Sequence, residues 1–447
     1  MHTMKVKLSV AAFAALLAFV SVAETPYDKM TLKGRTDKED PVSYKVGEPI
    51  KFTIYTADIE KVPAEGLKLT WKRRGDDGKE FEGEAPFKIG DICTIETTLD
   101  RPGFIKIEAL LVDAKGEPVM RDCLAPGEES WTGNKKVDFV GGAGVAIAEI
   151  RQIIPEPADF DEYWATQKKI LASVPLCVFR LPAKGCENDP DQLIEAVYVA
   201  CAGTRPVTGY LVMPKNAKPK SCTATLCVQG YGCYVPSVSH QQDLGNEIRF
   251  FVNAHGLELD ADQAYYDDYF KMIKTSDAPW TSYAWNIVEN QKADTCYFRW
   301  MAMRVMRALE FLKALPEWNG KDLIVEGGSQ GGLQTLWAAG LDPDVSLAKP
   351  CIPWCCDFGV TASTKLRGHW HIPYAPGLDY FDGINHAKRA KCRIEITRAG
   401  LADYTSPPSG LAALFNAIPG NASIKWVQGS HHGNTPPLPN QIKILEK

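Results

Sequence analysis

The chain has 447 residues, a formal net charge of −5 and 23% charged residues, with 45% hydrophobic and 10% aromatic content. These values exclude a disordered, collagen-like or polytopic membrane protein, and the length leaves room for two or three domains with ample core. The mild acidity, with a pI near 6.0, gives no general electrostatic case for nucleic acid or an anionic membrane as partner.

Lys5 and Lys7 precede an apolar run of 16 residues, 8–23, that ends Ser21-Val22-Ala23. A basic start, an apolar centre and small residues at the −3 and −1 positions predict a secretory signal peptide over residues 1–23, cleaved near Ala23. The expected location is therefore secreted or periplasmic. The run is shorter than the roughly 20 residues that span a bilayer, and no cysteine stands at its end to carry a lipid. The thirteen cysteines are odd in number and dispersed, without paired C-x-x-C motifs. They suggest neither a stapled scaffold nor structural zinc, and buried free thiols are the expected state of most.

Residues 24–140 alternate apolar and polar over 42–55, 67–72, 93–97 and 104–112, with turn clusters such as Arg74-Gly75-Asp76-Asp77-Gly78 between them. Short strands without a convincing helix predict a small all-β sandwich, immunoglobulin-like in architecture only, since the Cys–Trp–Cys signature is not evident. Arg74-Gly75-Asp76 reads as a solvated hairpin turn rather than an adhesion tripeptide. Gly141-Gly142-Ala143-Gly144 marks the expected boundary, and residues 145–447 follow a different pattern. Helices are predicted over 160–171, 296–315, 333–339 and 410–417, and strands over 193–200, 208–212, 224–228, 249–253, 322–326, 392–397 and 424–427. Alternation of this kind predicts an α/β domain with a mostly parallel sheet covered on both faces.

Gly327-Gly328-Ser329-Gln330-Gly331 is G-x-S-x-G placed between a predicted strand and a predicted helix. This is the context of a nucleophile elbow, where a tight turn exposes the serine hydroxyl. A serine needs a base, and the base an orienting acid, in the chain order Ser, Asp/Glu, His for this fold. Asp403 follows the 392–397 strand and His431 follows the 424–427 strand, 74 and 28 residues further on in turn. Both fall where open α/β sheets place their sites, beyond the carboxyl ends of strands. The adjacent His432 competes with His431, but neighbouring side chains diverge and His431 is the expected base. Asp357 and Asp379 follow no comparably clear strand, and His369-Trp370-His371 lacks a third metal ligand in view. The expected oxyanion donors are the backbone N–H of Gln330 and that of Tyr231, on the loop after the 224–228 strand.

Together these residues resemble the acetyl xylan esterase and cephalosporin-C deacetylase family of carbohydrate esterases, an α/β-hydrolase group. The resemblance spans residues 145–447. It is carried by Glu156-Pro-Ala-Asp-Phe-Asp-Glu-Tyr-Trp164, Gly209-Tyr-Leu-Val-Met-Pro214, Gly230-Tyr231, Gly327-Gly-Ser-Gln-Gly-Gly332, Pro353-Trp-Cys-Cys-Asp-Phe358, Gly400-Leu-Ala-Asp403 and the terminal histidine loop. It implies Ser329 as nucleophile, Asp403 as orienting acid, His431 as base, and Tyr231 and Gln330 as oxyanion donors. It further implies an acetylated carbohydrate as substrate, no cofactor and no metal. Members often assemble as closed hexamers, so a homo-oligomer is part of the same expectation.

Three departures stand out. His255-Gly256-Leu257 occupies the place of an R-G-Q triplet, His431-His432 that of a His-Glu pair, and the amino-terminal β-unit is extra. Tyr55, Trp71 and Trp131 of that unit are candidates to stack on sugar rings, although packing is the commoner role of tryptophan and a structural role is expected. Two rival functions share the pattern. A peptidase of the prolyl oligopeptidase kind would carry a propeller too large for this amino-terminal unit. A non-catalytic carbohydrate-binding protein would not need Ser329, Asp403 and His431 together.

Overall fold

A computed structural model describes residues 29–57, 66–276, 281–363 and 365–447. The predicted signal peptide lies outside the described residues. Seven strands come first: β1 (Thr31–Thr36), β2 (Ile50–Ala57), β3 (Lys68–Gly75), β4 (Glu80–Pro86), β5 (Ile92–Thr97), β6 (Gly103–Val112) and β7 (Asp138–Val145). They form two antiparallel sheets, ordered β1-β2-β5 and β4-β3-β6-β7, around a core of Phe52, Ile54, Leu69, Ile107 and Phe139.

The second unit begins with α1 (Phe160–Ala172) and contains strands β8 (Val178–Pro182), β9 (Gln192–Val199), β10 (Val207–Pro214), β11 (Cys222–Val228) and β12 (Glu247–Val252). Helices α2 (Gln263–Ile273) and α3 (Phe298–Ala314) precede β13 (Trp318–Gly328), α4 (Gln330–Leu341) and β14 (Leu347–Cys351). Then come α5 (Gly383–Ala387), β15 (Arg393–Gly400), α6 (Pro408–Ala417), β16 (Ala422–Val427) and β17 (Ile442–Glu446). The ten strands make one sheet, ordered β17-β16-β15-β14-β13-β11-β12-β10-β9-β8. Strands β12 through β16 are parallel, and the antiparallel pairs lie at the two sides. Leu226, Val325, Ala348, Ile394 and Ile424 are fully buried in the sheet centre, as expected for strands with helices over both faces.

The glycine run 141–144 is not a linker. It lies within β7, so the sandwich runs to Val145 rather than ending at residue 140. A Cβ on Gly142 would stand 2.6 Å from the carbonyl oxygens of both Ile105 and Leu401. Glycine is therefore what lets this strand lie directly on the second unit. The Gln428 side chain pairs with both Gly142 backbone groups, at 2.9 Å each, as a neighbouring strand would. Gln441, also buried, likewise accepts from Thr36 N at 2.9 Å and donates to Lys38 O at 2.7 Å. Phe104 of β6 packs on Trp426 of β16 with ring centroids 5.3 Å apart. All thirteen cysteines are free thiols, five of them buried and two, Cys123 and Cys177, exposed.

Because the clash at Gly142 is with main chain on two sides, Gly142→Ala is expected to cost about 1–3 kcal/mol of stability. Urea unfolding midpoints of the two proteins at equal slope measure it.

Candidate active site

Every side chain expected at the site leaves the carboxyl edge of a parallel strand. Tyr231 follows β11, Ser329 follows β13, Asp403 follows β15 and the histidine pair follows β16. Ser329 has φ 57° and ψ −117°, the strained geometry of a nucleophile elbow. Its N–H donates to Cys351 O at 3.0 Å, and its own carbonyl accepts from Trp354 N at 3.0 Å and Leu333 N at 3.1 Å. The flanking glycines are required by contact: a Cβ on Gly331 would lie 2.5 Å from Val228 O, and one on Gly327 2.7 Å from Gly331 C.

The structure corrects the histidine. His432, not His431, stands between the serine and the acid, with Nε2 2.9 Å from Ser329 Oγ and Nδ1 2.9 Å from Asp403 Oδ2. Asp403 is fully buried, and its other oxygen accepts from Thr405 N at 3.0 Å and Ser406 N at 2.9 Å. A carboxylate accepts only, so the Nδ1 proton points at Asp403 and the Nε2 lone pair faces the serine hydroxyl. His431 turns the opposite way, to Glu128 of the amino-terminal unit, with Nε2 3.2 Å from Glu128 Oε2. The physical reason is a tight turn: Asn434 N donates to His431 O at 3.2 Å, and His431 and His432 hold successive positions of that turn with their side chains on different sides.

The remaining candidates lie elsewhere. Asp357 accepts from Ile153 N at 3.0 Å; burial, then the neighbouring Asp382, push its carboxyl up to about 7. Asp379 accepts from Tyr374 Oη at 2.9 Å, and burial raises it to about 6. His371 is half-buried, and desolvation holds its ring down to about 4. Among the described residues no cluster of three or more His, Cys, Asp or Glu forms a metal site.

The loop carrying Gly230 and Tyr231 is clamped to the first turns of α4. Gln334 Nε2 donates to Gln229 O at 2.7 Å, and Gln330 Nε2 to Gly230 O at 3.3 Å. The Gln330 side-chain oxygen in turn accepts from the Tyr283 hydroxyl. From below, Gln229 Nε2 and His255 Nε2 both reach Gly232 O, each at 3.0 Å. His255 Nδ1 lies 2.7 Å from the Tyr297 hydroxyl. His255, the departure at the R-G-Q position, thus braces the loop as a neutral ring. Burial, then Arg304, lower its pKa to about 3.

Ser329 and His432 open onto a pocket of about 420 Å³ lined by Tyr231, Trp354, Trp370, Arg398, Glu129 and Trp131 among others. The Tyr231 ring meets Trp285, Trp354 and Trp370 edge-on at 5.3–5.6 Å, and its hydroxyl pairs with Ser282. Sequence reasoning missed Gln229, Gln334 and this aromatic wall. Gln229 beside the glycine loop was the visible trace.

An elbow serine, a histidine and a buried aspartate on this sheet define the α/β-hydrolase class. The family model of acetyl xylan esterase (AXE1) matches residues 145–370 and 375–445. A curated relative, acetyl esterase Axe7A of Xylanibacter ruminicola, is 27% identical over 353 residues, 75% of this chain and 72% of that protein. The solved acetyl xylan esterase of Paenibacillus sp. R4 superposes with a TM-score of 0.54 at 24% identity, covering 65% of this chain and 94% of its own. Acetyl xylan esterase 1 of Thermoanaerobacterium gives 0.53 at 20%, covering 65% and 93%. The chain therefore belongs to the acetyl xylan esterase family and is a carboxylic ester hydrolase.

His255 is expected to shape acid stability. Its folded pKa lies below the ordinary 6.5, so the unfolded chain binds the extra proton between about 6.5 and about 3, and stability falls as pH falls through that window. His255→Gln, which removes the titration, should flatten that limb in urea midpoints collected between pH 7 and pH 4.

Proposed function

We propose that this protein is an exported serine esterase that removes acetyl groups from carbohydrate, such as xylan-derived oligosaccharides, through an acetyl-enzyme. The observation that carries the mechanism is His432 bridging Ser329 and Asp403 at 2.9 Å on both sides. His432 Nε2 takes the Ser329 proton as Oγ attacks the acetyl carbonyl, while Asp403 steadies the imidazolium. The developing oxyanion is held by the backbone N–H of Gln330, at the amino end of α4, and that of Tyr231. Collapse expels the sugar oxygen, which receives the proton from His432. Water, deprotonated by the same ring, then attacks the acetyl-enzyme and releases acetate and free Ser329. Each step uses only protein groups and water.

The carbohydrate reading is supported by the family match and by a pocket that joins an aromatic wall to polar rim groups. Export is supported by the residues at 1–23. For the amino-terminal unit we favour an immunoglobulin-like sandwich. The sheet order β1-β2-β5 against β4-β3-β6-β7 supports this, with the fourth strand moved to the sheet of the third, sixth and seventh.

Acetate release from acetylated xylo-oligosaccharides should fall at least about a thousandfold in Ser329→Ala and in His432→Ala, and far less in His431→Ala. The reverse order for the two histidines would return the base to His431. Labelling by a fluorophosphonate probe should disappear with Ser329→Ala. The mature protein recovered from culture medium or periplasm should begin at Glu24, which amino-terminal sequencing checks.

A further inference from the structure

The segment joining β6 to β7 leaves the sandwich and reaches the catalytic edge of the second unit. Glu129 N donates to Gly433 O at 2.8 Å, and Thr435 N donates back to Gly127 O at 3.3 Å. Glu128 takes His431 and also accepts from Asn434 Nδ2 at 2.8 Å. A Cβ on Gly433, the residue after His432, would lie 2.8 Å from the Trp131 ring and 2.3 Å from Thr132 Cγ2. Trp131 is therefore laid against the histidine loop, and its Nε1 donates to Glu129 Oε2 at 2.9 Å. Yet the indole stays 61% exposed, and it lines the same pocket as Ser329 and His432.

A tryptophan fixed by a hydrogen bond and a backbone contact, with its remaining surface in water at a reaction centre, is a preorganised binding platform. Its neighbours on the rim, Glu129 and Arg398, offer an acceptor and donors to hydroxyl groups. We propose that the amino-terminal β-unit supplies a saccharide subsite of this active site, with Trp131 stacking on a sugar ring adjoining the acetylated one. Apolar C–H groups of a pyranose meet the electron-rich indole face, while ring hydroxyls bond to the rim. The proposal rests on the carbohydrate reading of Ser329 given above. Tyr55 and Trp71 are not part of it: the Tyr55 hydroxyl receives Asn440 Nδ2 at 3.2 Å, and Trp71 lies over Gly83 on its own sheet.

The test compares kcat/KM for p-nitrophenyl acetate, which has no sugar, with that for an acetylated xylo-oligosaccharide. In Trp131→Ala the ratio of oligosaccharide to small-ester activity should fall about tenfold, carried mainly by KM. Trp131→Phe should keep most of it. An unchanged ratio, or equal losses on both esters, would overturn the subsite and leave Trp131 a structural residue. Wild-type hydrolysis of the small ester without any of the oligosaccharide would instead defeat the carbohydrate reading, and the subsite with it.

Discussion

The backbone of Ser329 is the constraint on which the rest is arranged. A non-glycine residue at φ 57° and ψ −117° costs on the order of 1–3 kcal/mol unless its surroundings hold it there. Three hydrogen bonds, from and to Cys351, Leu333 and Trp354, do so. They also fix what surrounds the serine. Trp354 is drawn into the pocket wall, α4 begins at Gln330, and Gly327 and Gly331 leave room for main chain to pass within contact distance. The parallel order β11-β13-β14-β15-β16 then delivers the Gly230–Tyr231 loop, Ser329, Asp403 and His432 to one edge.

The second determinant is the tie between the two units. Gln428 and Gln441 present buried amides to the main chain of the sandwich, and the 126–132 segment grips the loop that holds His432. Buried amides left without partners are costly, so removing the sandwich would expose these donors and acceptors and loosen the histidine loop together. The amino-terminal unit is thus built into the frame that holds the His432 loop rather than a separate attachment.

Much of the fold was legible where pattern and context agreed. The 322–326 strand, the glycine elbow and the following helix fall where expected, as β13, Ser329 and α4. The buried helix over 296–315 is α3, its apolar residues alternating with Arg304 and Arg307, whose guanidinium groups reach the carbonyls of Ala254 and Leu171. Edge strands were harder to see. The sequence of β4, Glu-Phe-Glu-Gly-Glu-Ala-Pro, is mostly exposed and carries little apolar pattern. Helix α2 has only Tyr266 and Tyr269 buried, and is announced mainly by the Asp262 cap. The 141–144 run misled because glycine usually marks a break, whereas here it marks close approach between strand and neighbour. His255 shows the same limit: its place was visible as a departure, its neutral bracing role was not.

Residue types and their spacing alone place an elbow serine, then an acid, then a histidine pair, each after a buried strand. Those features are local, written in strand–turn–helix spacing and in residue type. Which histidine lies between Ser329 and Asp403 follows from long-range contacts instead. His431 and His432 are chemically identical and adjacent, and the side each faces depends on how one tight turn is held. That turn is held by Glu128 on one side and by Ser329 and Asp403 on the other, residues 29 to more than 300 positions away in the chain. The placement of Trp131 beside the serine was decided in the same way, because no local pattern records where a loop from another sheet comes to rest.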